Sequence, residues 1–145
     1  MSAPRRRALI AGITGQDGAY LTRLLLQRGY AVDGLVRHSG DVDRSRLTAL
    51  EVVDRVTLLP ADLSDAASLA RIIAAAAPDE IYNFAAQSSV ARSFVEVGPT
   101  IALNTLSLVN LLEATRAVAG GARFYQASSS EMFGNADHLP IDDAW

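Results

Sequence analysis

Gly12-Ile13-Thr14-Gly15-Gln16-Asp17-Gly18 is the stretch on which the fold turns. The apolar run Ala8-Leu9-Ile10-Ala11 leads into it, and a helix-like run from Ala19 to Arg28 leads out. Strand, glycine-rich turn and helix, in that order, form the context that a dinucleotide-phosphate loop requires. Each glycine has a mechanical task. Gly12 allows a sharp turn at the strand end, Gly15 lets a pyrophosphate approach the backbone, and Gly18 lets the helix pack closely on the sheet. The helix N-terminus then offers unpaired N–H groups and a partial positive charge to the phosphates. The spacing is G-x-x-G-x-x-G rather than the commoner G-x-G-x-x-G, and a plain strand-to-helix turn can use the same glycines.

Composition narrows the class. The chain has 145 residues, half of them hydrophobic, which is about one domain with a sizeable core. A net charge of −3 argues against a nucleic-acid surface. Cysteine is absent, which excludes disulfides and thiol chemistry. No apolar run approaches the ~18 residues of a membrane span. Arg5-Arg6-Arg7 before Ala8 to Ile13 has the order of a signal peptide. The apolar part is too short and runs into the glycine loop, so a cytoplasmic protein is expected. All 13 basic residues are arginine.

Strands and helices alternate along the chain. Strands are expected at 7–11, 31–36, 56–59, 80–84 and 123–126. Helices are expected at about 17–27, with Gly29 as a stop, and from Ser64, as N-cap, to before Pro78. Another is expected from near Pro99 to Gly120-Gly121, with a short helix within 47–53. Between strand four and Pro99 the sequence reads as a long loop. Strands separated by helix-length connections imply an α/β fold, a Rossmann-type doubly wound parallel sheet in the order 3-2-1-4-5. No helix is evident after Ser128. The covering element of strand five is missing, so an apolar residue such as Phe124 is expected to face water. The reading is of an incomplete dinucleotide-binding domain over residues 1–145, cut from a longer protein before its last elements.

Candidate chemistry gathers at the strands' carboxyl ends. An acid ending strand two would bind the ribose 2′-hydroxyl of NAD, whereas an arginine fits the 2′-phosphate of NADP. Val36 stands where the acid would sit and Arg37 follows; Asp33 lies inside the strand. At the end of strand three, Asp62 can accept a hydrogen bond from an adenine amine, since Ser64 is the better helix cap. Small residues in Asn83-Phe84-Ala85-Ala86-Gln87-Ser88 let a cofactor lie over the backbone. Ser128-Ser129-Ser130-Glu131 puts hydroxyls and a carboxylate at the fifth strand's end, able to bind and deprotonate a substrate. An exposed serine turn has the same composition.

Taken together these pieces resemble the extended short-chain dehydrogenases/reductases that act on nucleotide sugars. The resemblance is closest to the GDP-mannose 4,6-dehydratase family. It is carried by Gly12 to Leu21, Val36-Arg37-His38-Ser39, Pro78 to Asn83, Ala85-Ala86-Gln87-Ser88 and Arg123 to Ser128. It implies NADP as cofactor, held by Gly12, Ile13, Thr14, Gly15, Gln16, Asp17, Gly18, Arg37, His38, Ser39, Gly40, Asp62, Leu63, Phe84, Ala85, Ala86, Gln87 and Ser88. It implies no metal. Catalytic roles fall on Ser129, which would bond the sugar C4 oxygen, and Glu131, which would take the C5 proton and help the C6 hydroxyl leave as water. In that family the cofactor takes a hydride from C4 and returns it to C6. The implied substrate is GDP-mannose and the implied assembly a homo-oligomer, with GDP-fucose biosynthesis as the setting.

Two departures stand out. A tyrosine that the family places near the cofactor falls at Pro99. The family's Tyr-x-x-x-Lys pair, base at C4 and its partner, has no counterpart in a chain without lysine. These 145 residues alone are therefore expected to be inactive. Two other readings stay open: a related nucleotide-sugar dehydratase or epimerase, and a non-catalytic dinucleotide-binding module. The glutamate after the serines disfavours simple epimerases, which need no C5 base.

Overall fold

The computed structural model describes residues 5–38, 42–129, 132–135 and 141. Five strands form one parallel sheet: β1 (Arg7–Ala11), β2 (Ala31–Arg37), β3 (Thr57–Ala61), β4 (Glu80–Asn83) and β5 (Arg123–Gln126). Their order is β3-β2-β1-β4-β5, as expected. Since all run the same way, every carboxyl end lies at one edge, and the order reverses between β1 and β4.

The alternation of β1 explains why both faces are covered. Ala8 and Ile10 enter a core with Ile13, Ala19, Leu25, Leu26, Val32, Val36, Leu47 and Val52, beneath helix α1 (Gln16–Gln27). Leu9 and Ala11 enter a second core with Leu35, Ala61, Leu69, Ile73, Ile81, Leu111 and Ala114, beneath α3 (Ala66–Ala76) and α6 (Ser107–Val118). Gly34 faces the first core, where a Cβ would collide with the fully buried Ile13 side chain. α1 stops as its sequence requires. Gly29 has φ +84°, its N–H donates to the Leu26 carbonyl at 3.2 Å, and the Tyr30 N–H donates to Leu25 O at 3.0 Å.

Several boundaries differ from expectation. Residues 45–55 fold as a short helix α2 (Ser45–Ala49) and a separate 3₁₀ turn (Val53–Arg55), not one helix within 47–53. β3 lies one residue later at its start and two at its end than 56–59, because it pairs through Arg37↔Ala61 with a β2 that is itself one residue longer. The loop after β4 is not all loop: it contains α4 (Val90–Val95), capped by Ser89, and α5 (Val97–Ile101). α5 therefore starts before Pro99, then passes through a π turn (Ala102–Leu106) into α6. Ser64 does not cap α3. Asp65 does, its Oδ1 accepting from the Ser68 N–H at 2.9 Å. Phe124 is half-buried against the second core, so it is not left facing water as expected; Tyr125, on the opposite face, is 51% exposed.

Candidate functional site

The glycine loop forms a cradle free of side chains. Gly12 has φ +81°, a conformation that glycine adopts without penalty, and a Cβ on it would lie 2.8 Å from the Ala85 nitrogen. The Gly15 N–H donates to Gly12 O at 3.0 Å and closes the turn. At Gly18 a Cβ would run into the Gly12 carbonyl and the Ile13 Cα, so the helix sits directly against the loop. Gly15 is the N-cap of α1 and no side chain caps the helix, leaving its first amides available to an anion. Thr14 is half-buried, whereas Gln16 and Asp17 are exposed. Ile13 is wholly buried in the first core, so only its backbone is available to a ligand. From α2, Arg46 Nη1 donates to the Thr14 carbonyl at 3.4 Å and brings a guanidinium to the loop.

At the end of β2, Arg37 and His38 are both exposed. Asp33 is buried in mid-strand, and Arg7 Nη2 donates to its Oδ2 at 2.9 Å. It is thus removed from the edge, as its sequence position implied. Ser39 and Gly40 lie outside the described residues. After β3, Asp62 Oδ1 accepts from both the Ser64 hydroxyl, at 2.6 Å, and the Ser64 N–H, at 2.8 Å. Those bonds hold its carboxyl below the usual carboxylate range, the hydroxyl first and the amide next. Ser64 is engaged with Asp62, and the cap that its position predicts passes to Asp65. Leu63 is half-buried beside them.

The β4 exit is shaped by Asn83, which is buried. Its Nδ2 donates to Gln126 Oε1 at 2.8 Å and its Oδ1 accepts from the Ala85 N–H at 3.1 Å. Phe84 continues the ladder through its N–H to Ala11 O at 2.9 Å and packs on Tyr125 with ring centres 5.8 Å apart. Ala86 and Ser88 are exposed. An open cleft of about 400 Å³ runs from Arg37 along Gln87, Ser88 and Ser89 to Arg92, Glu96, Pro99 and Leu103. Arg92 Nη2 reaches both Glu96 oxygens, at 3.1 and 2.9 Å. The sequence reading missed Arg92 and Glu96 because it treated this segment as loop. Their i, i+4 spacing was the available signal.

At the end of β5 the chain turns at Ser128, whose φ of +63° is uncommon for a residue other than glycine. Ser129 follows, exposed, with its carbonyl accepting from the Met132 N–H at 3.2 Å. Glu131 lies outside the described residues, so the Ser129–Glu131 pairing has no geometry here. Among the described residues no helix is long and apolar enough to cross a membrane, and no cluster of three metal-ligating side chains occurs.

The chain is similar to known proteins along most of its length. The GDP-mannose 4,6 dehydratase family model matches residues 9–144. GDP-mannose 4,6 dehydratase 1 of Arabidopsis thaliana is 46% identical over 142 residues, covering 91% of this chain and 39% of the relative. The Homo sapiens GDP-mannose 4,6 dehydratase is 38% identical over 148 residues, covering 97% and 40%. Among solved structures, the NAD-bound UDP-glucose-4-epimerase of Stenotrophomonas maltophila superposes with a TM-score of 0.81 at 25% identity, covering 94% of this chain and 41% of its own. The chain spans about two-fifths of the length of the curated relatives it matches. With a family match from the first strand nearly to the last residue, the chain belongs to the GDP-mannose 4,6-dehydratase family.

Proposed function

We propose that the chain is the dinucleotide-binding domain of an NADP-dependent GDP-mannose 4,6-dehydratase. The observation that carries this is the cradle of Gly12, Gly15 and Gly18 under an uncapped helix end. At Gly12 and Gly18 a Cβ would strike backbone, so only glycine lets the loop fold this tightly against the helix end, and at the exposed Gly15 a Cβ would meet only the Gly12 carbonyl, at 3.2 Å, which leaves that side to a pyrophosphate. Arg37 supports NADP over NAD: it is exposed at the end of β2, and the strand's only carboxylate, Asp33, is tied to Arg7. When bound, the dinucleotide supplies the acceptance and return of a hydride. The chain's residues would do the rest. Amides of the glycine loop hold the pyrophosphate, Arg37 the 2′-phosphate and Asp62 the adenine amine. Ser129 would hydrogen-bond the C4 oxygen of the sugar, and Glu131 would remove the C5 proton once C4 is a ketone, then protonate the departing C6 hydroxyl. The proton of the C4 hydroxyl needs a further base, and the 145 residues hold no Tyr-x-x-x-Lys pair to provide it.

Calorimetric titration of the chain with NADP and NAD tests the binding part. Saturable binding with NADP the tighter ligand supports it, and absence of binding to either rejects it. For the chemistry, the chain alone is expected to give no 4-keto-6-deoxy product from GDP-mannose, whereas a longer protein carrying it and the Tyr-Lys pair turns over. Measurable turnover by the 145 residues would overturn the assignment of roles. A cytoplasmic homo-oligomer fits the same reading. Phe94, Val95 and Ile101 are exposed apolar residues of α4 and α5, a surface of the kind that associates. Sedimentation of wild type and Phe94→Ser should show association in the first and less in the second.

A further inference from the structure

The wide turn before α6, and α6 itself, touch loops on both sides of the point where the strand order reverses. The Ser107 N–H donates to Ala102 O, five residues back, which makes Ala102–Leu106 a π turn. Such turns are rare and concentrate at functional sites. Inside this one, Asn104 Oδ1 accepts from the Gln87 N–H at 2.8 Å, and Asn104 Nδ2 donates to Gln87 O at 3.1 Å. One side-chain amide therefore takes both backbone groups of one loop residue. Gln87 passes the order on. Its Oε1 accepts from the Ser89 N–H at 2.8 Å and its Nε2 donates to Ser89 O at 2.9 Å. Further along α6, Asn110 Nδ2 donates to Leu63 O at 3.0 Å and to Ser64 O at 3.2 Å, in the loop that follows β3. Asparagine is a poor residue for a helix interior, because its amide competes for backbone groups. At both positions that competition is directed at a loop instead.

We infer that Asn104 and Asn110 are positioning residues of the dinucleotide site, holding the β4 and β3 loops in shape before the ligand arrives. This rests on the dinucleotide reading given above. Its physical basis is preorganisation: a loop that must be ordered on binding costs affinity, and one already ordered does not. The two residues act on different halves of the ligand. In a doubly wound sheet each half takes one nucleotide. The β1–β3 half, steadied by Asn110, takes the adenosine part; the β4 side, steadied by Asn104, takes the nicotinamide part.

The test uses the full chain, two ligands and two variants. NADP fills both halves, and adenosine 2′,5′-bisphosphate fills only the first. Asn110→Leu should weaken both ligands by about tenfold, the loss of one good hydrogen-bonded contact. Asn104→Leu should weaken NADP by about tenfold and leave the bisphosphate within about twofold. A merely structural role would lower the melting temperature and make Asn104→Leu weaken both ligands alike, as Asn110→Leu does. That pattern, or unchanged affinities, overturns the inference while leaving the dinucleotide reading intact. Wild-type chain that binds neither ligand rejects the dinucleotide reading and the inference with it.

Discussion

On the reading proposed above, Arg37 is the residue that would select NADP over NAD. It stands exposed at the end of β2, and among the described residues no ion pair engages it, whereas Arg92 across the cleft is paired with Glu96. A charge-assisted bond to a 2′-phosphate is worth ~1.5–3 kcal/mol, about ten- to a hundredfold in affinity. Arg37→Ala should therefore weaken NADP by that factor and leave NAD nearly unchanged in a titration; equal loss for both removes the assignment. Glycines give a second contrast. At Gly18 a methyl group would strike the backbone of Gly12 and Ile13, which cannot move without opening the loop. At Gly29 a methyl group meets nothing within 4 Å, and only the positive φ opposes it. Gly29→Ala should cost about 1 kcal/mol. Gly18→Ala should cost roughly 1–3 kcal/mol and also abolish dinucleotide binding. Thermal melts and titration separate the two, and equal behaviour would show that the cradle is not tight.

Strand β4 is tied at both ends. Its carboxyl end holds Asn83 and the loop above the switch point. Its amino end holds Glu80, buried, with Arg123 Nη2 at 3.3 Å and Arg6 Nη1 at 3.6 Å. The Tyr82 hydroxyl donates to Glu80 Oε2 at 2.7 Å and the Tyr30 hydroxyl to Oε1 at 3.3 Å. Burial first, and the bond to Glu80 next, push the Tyr82 phenol from its ordinary 10.0 up to about 12. The sign follows from linkage. The folded state keeps the Tyr82 proton where the unfolded chain has lost it, so this contribution is complete below pH 10 and lost as pH rises to about 12. Melts of wild type should fall more steeply across that window than melts of Tyr82→Phe. Parallel curves would mean that the phenol is not held by Glu80.

On the scale of the whole molecule, two cores sit on the two faces of one sheet, and the candidate site lies along the edge that both share. A ligand that bridges β1, β2 and β4 there binds only the folded chain. At about a hundred times its dissociation constant, NADP should add about 2.7 kcal/mol to stability. For a domain of this size that raises the melting temperature by roughly 5–12 °C. A scan with NADP, NAD and no ligand checks it, with the NADP shift expected to be the largest. No shift with either dinucleotide would remove the binding site from this edge.

Local pattern by itself determined the five strands, the three long helices and the order of the sheet, but not the short helices α4 and α5. β1 was legible because apolar residues run into glycines, and β5 because Gly120-Gly121 isolates Arg123–Gln126. Crossover handedness then left one strand order for that loop. The glycine cradle was legible for the same reason: its constraint is steric and lies within a few residues of chain. The place of Arg37, exposed at the end of β2, was legible because the end of a strand is a position that sequence can count to. What tertiary structure decided depends on partners far along the chain. Ser64 lost the cap because Asp62 engages it, and β3 shifted because β2 extends to Arg37. Phe124 is half-buried because residues of α3 and α6 lie against that face. Asn104 and Asn110 read as unremarkable helix residues until folding brings Gln87 and Leu63 against them, 17 and 47 positions away. Short-range sterics are written in the local sequence. Hydrogen bonds between distant loops exist only once the sheet has set the distance between them.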